Sequence, residues 1–123
     1  MNPKTNKLKN INKYSSRIAE LMQEKKAKDI QIFDVSDITT LTDAFIICTS
    51  DSQPQSRAIY NHIEDEMFKE GIKAWSREGL EKLDWVLIDF VDFVVHIFSK
   101  ESRDFYDFER LWGDARITKI KDE

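Results

Sequence analysis

Apolar positions along the chain alternate between helical and strand spacing. Tyr14, Ile18, Leu21 and Lys25 recur every three or four residues, with Met22 widening the stripe and the Lys25 stem able to lie along it, so residues ~13–27 are expected to form an amphipathic helix. Ile30–Val35 then has the length and composition of a strand. The polar stretch Ser36–Thr42 follows, with Asp37 placed to cap a single helical turn. Asp43–Thr49 is nearly continuous in apolar residues, which predicts a strand buried on both faces.

Ser52 and Gln55 have the spacing of a capping box, and Pro54 falls in a first turn where its missing N–H matters little, so a second helix is expected to start there. Ile59, Ile63 and Met67 supply its buried stripe and Gly71 its C-terminal stop. A third strand is expected at Ile72–Trp75, at a sheet edge, followed by a charged connection over 76–83. Trp85–Phe90 and Phe93–Phe98 are separated by Val91 and Asp92 alone, which predicts a tight antiparallel hairpin. If Phe90 pairs with Phe93, then Ile88 faces Val95 and Val86 faces Ile97 on one wholly apolar side. The other side carries Trp85, Leu87 and Asp89 with Val94, His96 and Phe98. Ser99 is placed to cap a last helix whose packing stripe is read as Phe105, Phe108, Leu111 and Trp112, with Arg103, Asp107 and Arg110 toward water.

This order predicts an α/β fold: a single domain over 13–115 with a mixed five-stranded sheet flanked by helices, a disordered N-terminal tail over 1–12 and a flexible C-terminal tail over 116–123. The formal charge of −4 and a pI near 5.3 disfavour a general nucleic-acid binder, which needs a basic surface, and suit a basic protein partner. Cys48 is the single cysteine and sits in an apolar run, so it is expected to be a buried thiol. No apolar stretch has the length of a membrane span or of a secretory signal, and a cytoplasmic location is expected. Lys4, Lys7, Lys9 and Lys13 precede the first acid, Glu20; the tract is Lys- and Asn-rich rather than Arg-rich and is read as a solvated tail, not an organellar leader.

Asp89, Asp92 and His96 are the constellation closest to a catalytic one, since paired carboxylates near a turn can hold a divalent metal for nucleotidyl transfer. That chemistry also needs a Gly-Ser cradle for the triphosphate. Gly71, Gly79 and Gly113 are scattered and no Gly-Ser pair occurs. His62 and His96 lack the companions of a metal cluster, and Asp34, Asp37 and Asp43 lack calcium-loop spacing. No catalytic residue, cofactor or metal ligand is therefore assigned. For His96 the plain reading is a half-buried strand residue bonded to a neighbour such as Asp89. Trp75 and Trp112 read as core, while Trp85 opens a strand on the mixed face and is the expected binding residue.

The segment WVLIDFVDFVVHIFSKESRDFYDFERLW, Trp85 to Trp112, runs from a Trp-led strand through an Asp turn and a Val-His strand to a helix ending in Glu109-Arg110-Leu111-Trp112. It resembles the ribosomal silencing factor family, the Iojap-related proteins, through Trp85, Asp89, Asp92, Val95, His96, Arg103, Tyr106, Phe108 and Glu109 to Trp112. Ile32–Asp37 (IFDVSD) and Asp43–Thr49 (DAFIICT) match as well, so the resemblance covers roughly residues 15–115. Val91 and Ser50 stand where that family usually has Gly, and Pro54 where it often has Arg. A β-branched residue suits positive φ poorly, so a reshaped or strained loop is expected at Val91.

The resemblance implies a nucleotidyltransferase-like topology without enzymatic activity. It also implies binding to the large ribosomal subunit through the universal ribosomal protein number fourteen, and repression of translation by steric exclusion of the small subunit. The partner-binding residues then expected are Trp85, Leu87, Asp89, His96, Phe98, Tyr106, Glu109 and Arg110. Trp85→Ala or Asp89→Arg is expected to abolish docking with the fold intact. A nucleotide-binding or nucleotidyl-transferring enzyme and a large-subunit assembly adaptor are the alternatives, and a self-complementary hairpin face is compatible with a homodimer.

Overall fold

The computed structural model describes residues 3–122, and the side chains of residues 13–122. The elements are α1 (Pro3–Glu24), β1 (Lys28–Asp34), β2 (Ala44–Ser50), α2 (Gln53–Lys69), β3 (Ser76–Glu78), β4 (Trp85–Asp89), β5 (Phe93–Ser99), α3 (Lys100–Tyr106), α4 (Phe108–Leu111) and β6 (Arg116–Lys119). The strands form one mixed sheet in the order β3-β4-β5-β2-β1-β6, in which β2 and β5 run parallel and every other neighbouring pair antiparallel.

The sheet has six strands rather than five. The sixth, β6, comes from the segment expected to be a flexible tail and pairs with β1 as an exposed edge. All four of its residues are exposed. The third strand is an edge as expected, but lies at Ser76–Glu78 rather than Ile72–Trp75. α1 begins at Pro3, inside the stretch expected to be a tail. Residues 1 and 2 of that stretch, and the side chains of Lys4, Lys7 and Lys9, lie outside the described residues.

The two long helices end alike. Gly71 takes φ +83°, with Gly71 N donating to the Phe68 carbonyl and Ile72 N to that of Met67. α1 closes with the same pair of bonds, Lys26 N to Gln23 and Ala27 N to Met22, and here a lysine holds the left-handed position at φ +63°. The start of α2 is the expected capping box with one displacement. Gln55 N donates to Ser52 Oγ at 3.1 Å, while Gln55 Oε1 accepts from Asp51 N at 2.7 Å, one residue before the cap.

α1 and α2 cover one face of the sheet. Ile18, Leu21, Met22, Ile59, Ile63 and Met67 pack there against Ile46, Cys48, Val86, Ile88, Val95 and Ile97, each large aliphatic side chain stabilising by about 1.5–3 kcal/mol on full burial. Every residue of β2 is buried, as its continuous apolar run predicts. Burial raises the Cys48 thiol to about 12, so it is an inert core group at neutral pH.

The opposite face is only partly covered. α3 and α4 lie across its β1-β2-β5 side, and Phe108 is the wedge. Its ring lies 5.3 Å from that of Phe33, 5.2 Å from Phe45 and 4.9 Å from the His96 ring. The packing stripe expected for a single last helix does not form, because Asp107 adopts φ 48°, ψ 58° and breaks the helix in two. That residue shifts the helical phase. Phe105 and Leu111 are left 80 % and 73 % exposed, while Arg103, expected in water, is buried. Trp75, expected in the core, is also exposed.

Candidate functional site

The hairpin forms in the expected register, with Val86 opposite Ile97 and Ile88 opposite Val95. Phe90 N donates to the Phe93 carbonyl at 3.0 Å and the two rings stack at 5.0 Å. Asp92 N donates back to the Phe90 carbonyl, a three-residue γ-turn centred on Val91 at φ +76°. Asp89 Oδ1 accepts from Val91 N at 2.7 Å, Thr42 Oγ1 donates to the Val91 carbonyl, and Asp43 N donates to the Asp92 carbonyl. The strained tip is thus held from both sides.

The candidate docking residues separate into three groups. His96 and Phe98 are buried beneath α4, His96 with almost none of its surface open and Phe98 with none. Trp85, Leu87 and Asp89 lie half-buried on β4 beside them, on the strip that α3 and α4 leave bare. Tyr106 and Arg110 are exposed on the short helices. Glu109 is half-exposed, with Oε1 paired to Arg103 Nε at 2.7 Å.

Trp85 lies at the centre of an aromatic group. Its ring stacks on Phe98 at 5.0 Å and meets Tyr106 at 4.6 Å, and Nε1 donates to His96 Nδ1 at 2.9 Å. The partner of His96 is therefore Trp85 and not Asp89. Burial lowers the imidazole to about 3, so His96 is neutral, accepting at Nδ1 and carrying its proton on Nε2. Beside Trp85 opens a cleft of about 600 Å³ lined by Gly79, Glu81, Asp84, Ser102 and Tyr106.

Two positions that sequence reasoning passed over build this surface. Gly79, at φ +85°, turns the connection back so tightly that a Cβ would lie 2.0 Å from the Trp85 carbonyl oxygen. Arg103 fastens α3 to the sheet through the Asp29 carbonyl, Thr49 Oγ1 and Gln31 Oε1. A lone glycine in a charged connection was the signal for the first. The second was named only among the residues of the family resemblance and was expected in water, because a charged residue on a helix ordinarily faces solvent.

Among the described residues no group of three or more His, Cys, Asp or Glu side chains gathers as metal ligands would, and no helix is long and apolar enough to cross a membrane. Asp89 is committed to the turn and is not bonded to His96.

Comparison with known proteins gives a consistent result. The family described as "Ribosomal silencing factor during starvation" matches residues 8–123. The chain is 38 % identical to ribosomal silencing factor RsfS of Bacillus subtilis over 102 residues, 83 % of this chain and 86 % of that protein. It is 32 % identical to the chloroplastic protein Iojap of Arabidopsis thaliana over 102 residues, 83 % of this chain and 42 % of that one. A crystal structure of a Chromobacterium violaceum protein superposes with a TM-score of 0.81 at 37 % identity, covering 84 % of this chain and 86 % of the other. The family match spans the hairpin, both short helices and the sixth strand, and the chain belongs to the ribosomal silencing factor family.

Proposed function

We propose that the protein represses translation by docking on the large ribosomal subunit and keeping the small subunit from joining, with the universal ribosomal protein number fourteen at the intersubunit face as its partner. The observation that carries this reading is the bare strip of β4, where Trp85 and Leu87 stand half-covered beside an exposed Tyr106 on an otherwise well-packed sheet. Aromatic residues with one packed side and one open side are the usual anchors of protein interfaces. Asp89, Glu109 and Arg110 form the polar rim, and the net acidity of the chain favours approach to a basic ribosomal protein. His96 and Phe98 act from behind as the support of Trp85. The mechanism is occlusion, which requires a surface and no reacting group.

The test is co-sedimentation with isolated large subunits, small subunits and joined ribosomes, with excess protein added before the subunits are mixed. Binding to free large subunits with loss of joined ribosomes is expected. Binding without that loss would replace repression by an assembly role, and no binding to any particle would overturn the reading.

A further inference from the structure

A buried histidine is an odd component of an aromatic core. His96 is 4 % exposed and lies among the rings of Phe45, Phe98 and Phe108. Its Nε2, which carries the proton, has no hydrogen-bond partner. A buried donor left unmade destabilises the fold, and a hydrocarbon side chain of similar size would fill the same space without that defect. Packing therefore does not account for the imidazole. What a hydrocarbon could not supply is the acceptor at Nδ1, which receives the Trp85 indole N–H at 2.9 Å.

That bond acts on the residue that most needs orienting. Trp85 is half-buried at the border of the bare strip, touching Phe98 on one side and Tyr106 on another. Ring contacts restrict the plane of an indole but are tolerant of its rotation, because stacking has no single preferred direction. A hydrogen bond to a fixed acceptor removes that freedom. The acceptor stands on a central strand, paired with β4 on one side and β2 on the other.

We propose that His96 is a positioning residue for docking. Through Nδ1 it locks the Trp85 indole in one orientation before the partner arrives, so the binding face is preorganised and little side-chain entropy is lost on association. This inference rests on the docking reading above and adds a residue that touches no partner.

The experiment compares His96→Leu and His96→Asn with the wild type, since Asn carries an acceptor near the place of Nδ1 and Leu carries none. Two readouts are taken on each full-length chain. The first is the indole N–H resonance of Trp85, assigned by its loss in Trp85→Phe, with its exchange against water; the second is affinity for isolated large subunits.

In His96→Leu the melting temperature is expected to hold or rise, the indole proton to exchange faster, and affinity to fall about 3- to 10-fold, the scale of immobilising one large side chain. His96→Asn is expected to restore slow exchange and most of the affinity. An unchanged resonance in His96→Leu, or loss of affinity only in step with loss of folded protein, would overturn the proposal. A wild-type chain that leaves large subunits bare would overturn the docking reading instead, and the resonance would then decide separately whether His96 orients Trp85.

Discussion

Asp89 accepts the backbone N–H of Val91 at 2.7 Å and so holds a β-branched residue at φ +76°. A side chain on the proposed docking rim is thus also the brace of a strained turn. Val91→Gly removes the steric strain of positive φ, worth about 1–3 kcal/mol, against roughly 0.5–1 kcal/mol of added chain entropy. A net gain of up to about 2 kcal/mol is expected in urea denaturation. Asp89→Ala loses the brace and is expected to destabilise by about 1–2 kcal/mol, and Asp89→Arg would share that loss. Asp89→Asn keeps the acceptor and is the variant that separates surface from fold. A destabilised Val91→Gly protein would mean that the turn is not strained.

His96 ties stability to pH. Its imidazole takes a proton near 6.5 in the unfolded chain, whereas burial keeps it neutral down to about 3 in the folded one. Between these values the unfolded state binds more protons, so the contribution is complete above about 6.5 and is lost as pH falls toward about 3. The slope is at most about 1.4 kcal/mol per pH unit. Urea midpoints from pH 5 to 7.5 are expected to fall with acidity more steeply for the wild type than for His96→Asn. Parallel curves for the two proteins would contradict a neutral, buried imidazole.

β1, β2 and the hairpin register were legible, the last because a period of two leaves few choices once Phe90 meets Phe93, whereas the third strand was expected at Ile72–Trp75 and β6 was expected as a tail. The helix stop at Gly71 was equally legible. The same stop at Lys26 was not, because its left-handed residue has no glycine to mark it. The last helix failed for a related reason: Asp107, also left-handed, broke the period, so a stripe read through it placed Phe105 and Leu111 inside and Arg103 outside. Of the proposed docking face, composition marked Trp85 and strand parity marked its companions. Which of them stay bare depends on where α4 comes to rest, and that follows from the break.

Gly79 and Gly71 both have positive φ, yet their surroundings differ. Nothing lies within 4 Å of a Cβ added to Gly71, so Gly71→Ala should show only the backbone penalty of about 1 kcal/mol. At Gly79 the added atom would meet the Trp85 carbonyl oxygen at 2.0 Å, and either the connection or the start of β4 must move. A loss above about 2 kcal/mol is expected for Gly79→Ala. Large-subunit affinity should fall with it, because the displaced backbone carries Trp85. Equal losses at the two glycines, measured by urea denaturation, would refute the distinction.

Arg103 ties several elements together through one buried side chain. Nη1 donates to the Asp29 carbonyl at 3.0 Å and to Thr49 Oγ1 at 2.9 Å, Nη2 donates to Gln31 Oε1 at 3.2 Å, and Nε to Glu109 Oε1 at 2.7 Å. One planar group thereby links β1, β2, α3 and α4, and it sets where Phe108 presses on the sheet. Arg103→Ala empties a buried position and takes the partner from the buried Thr49 hydroxyl, while Asp29, Gln31 and Glu109 can turn to water, and a loss of about 1–3 kcal/mol is expected. Glu109→Gln should lose no more than about 1 kcal/mol, since that side chain is 40 % exposed and water can take its place. Arg103→Lys discriminates between charge and geometry, because a single ammonium cannot reach four partners spread over β1, β2 and α4. It is expected to recover less than half of the alanine loss in urea denaturation. A lysine variant as stable as the wild type would show that the positive charge, and not the fork, fixes α4 and with it the exposed border of Trp85.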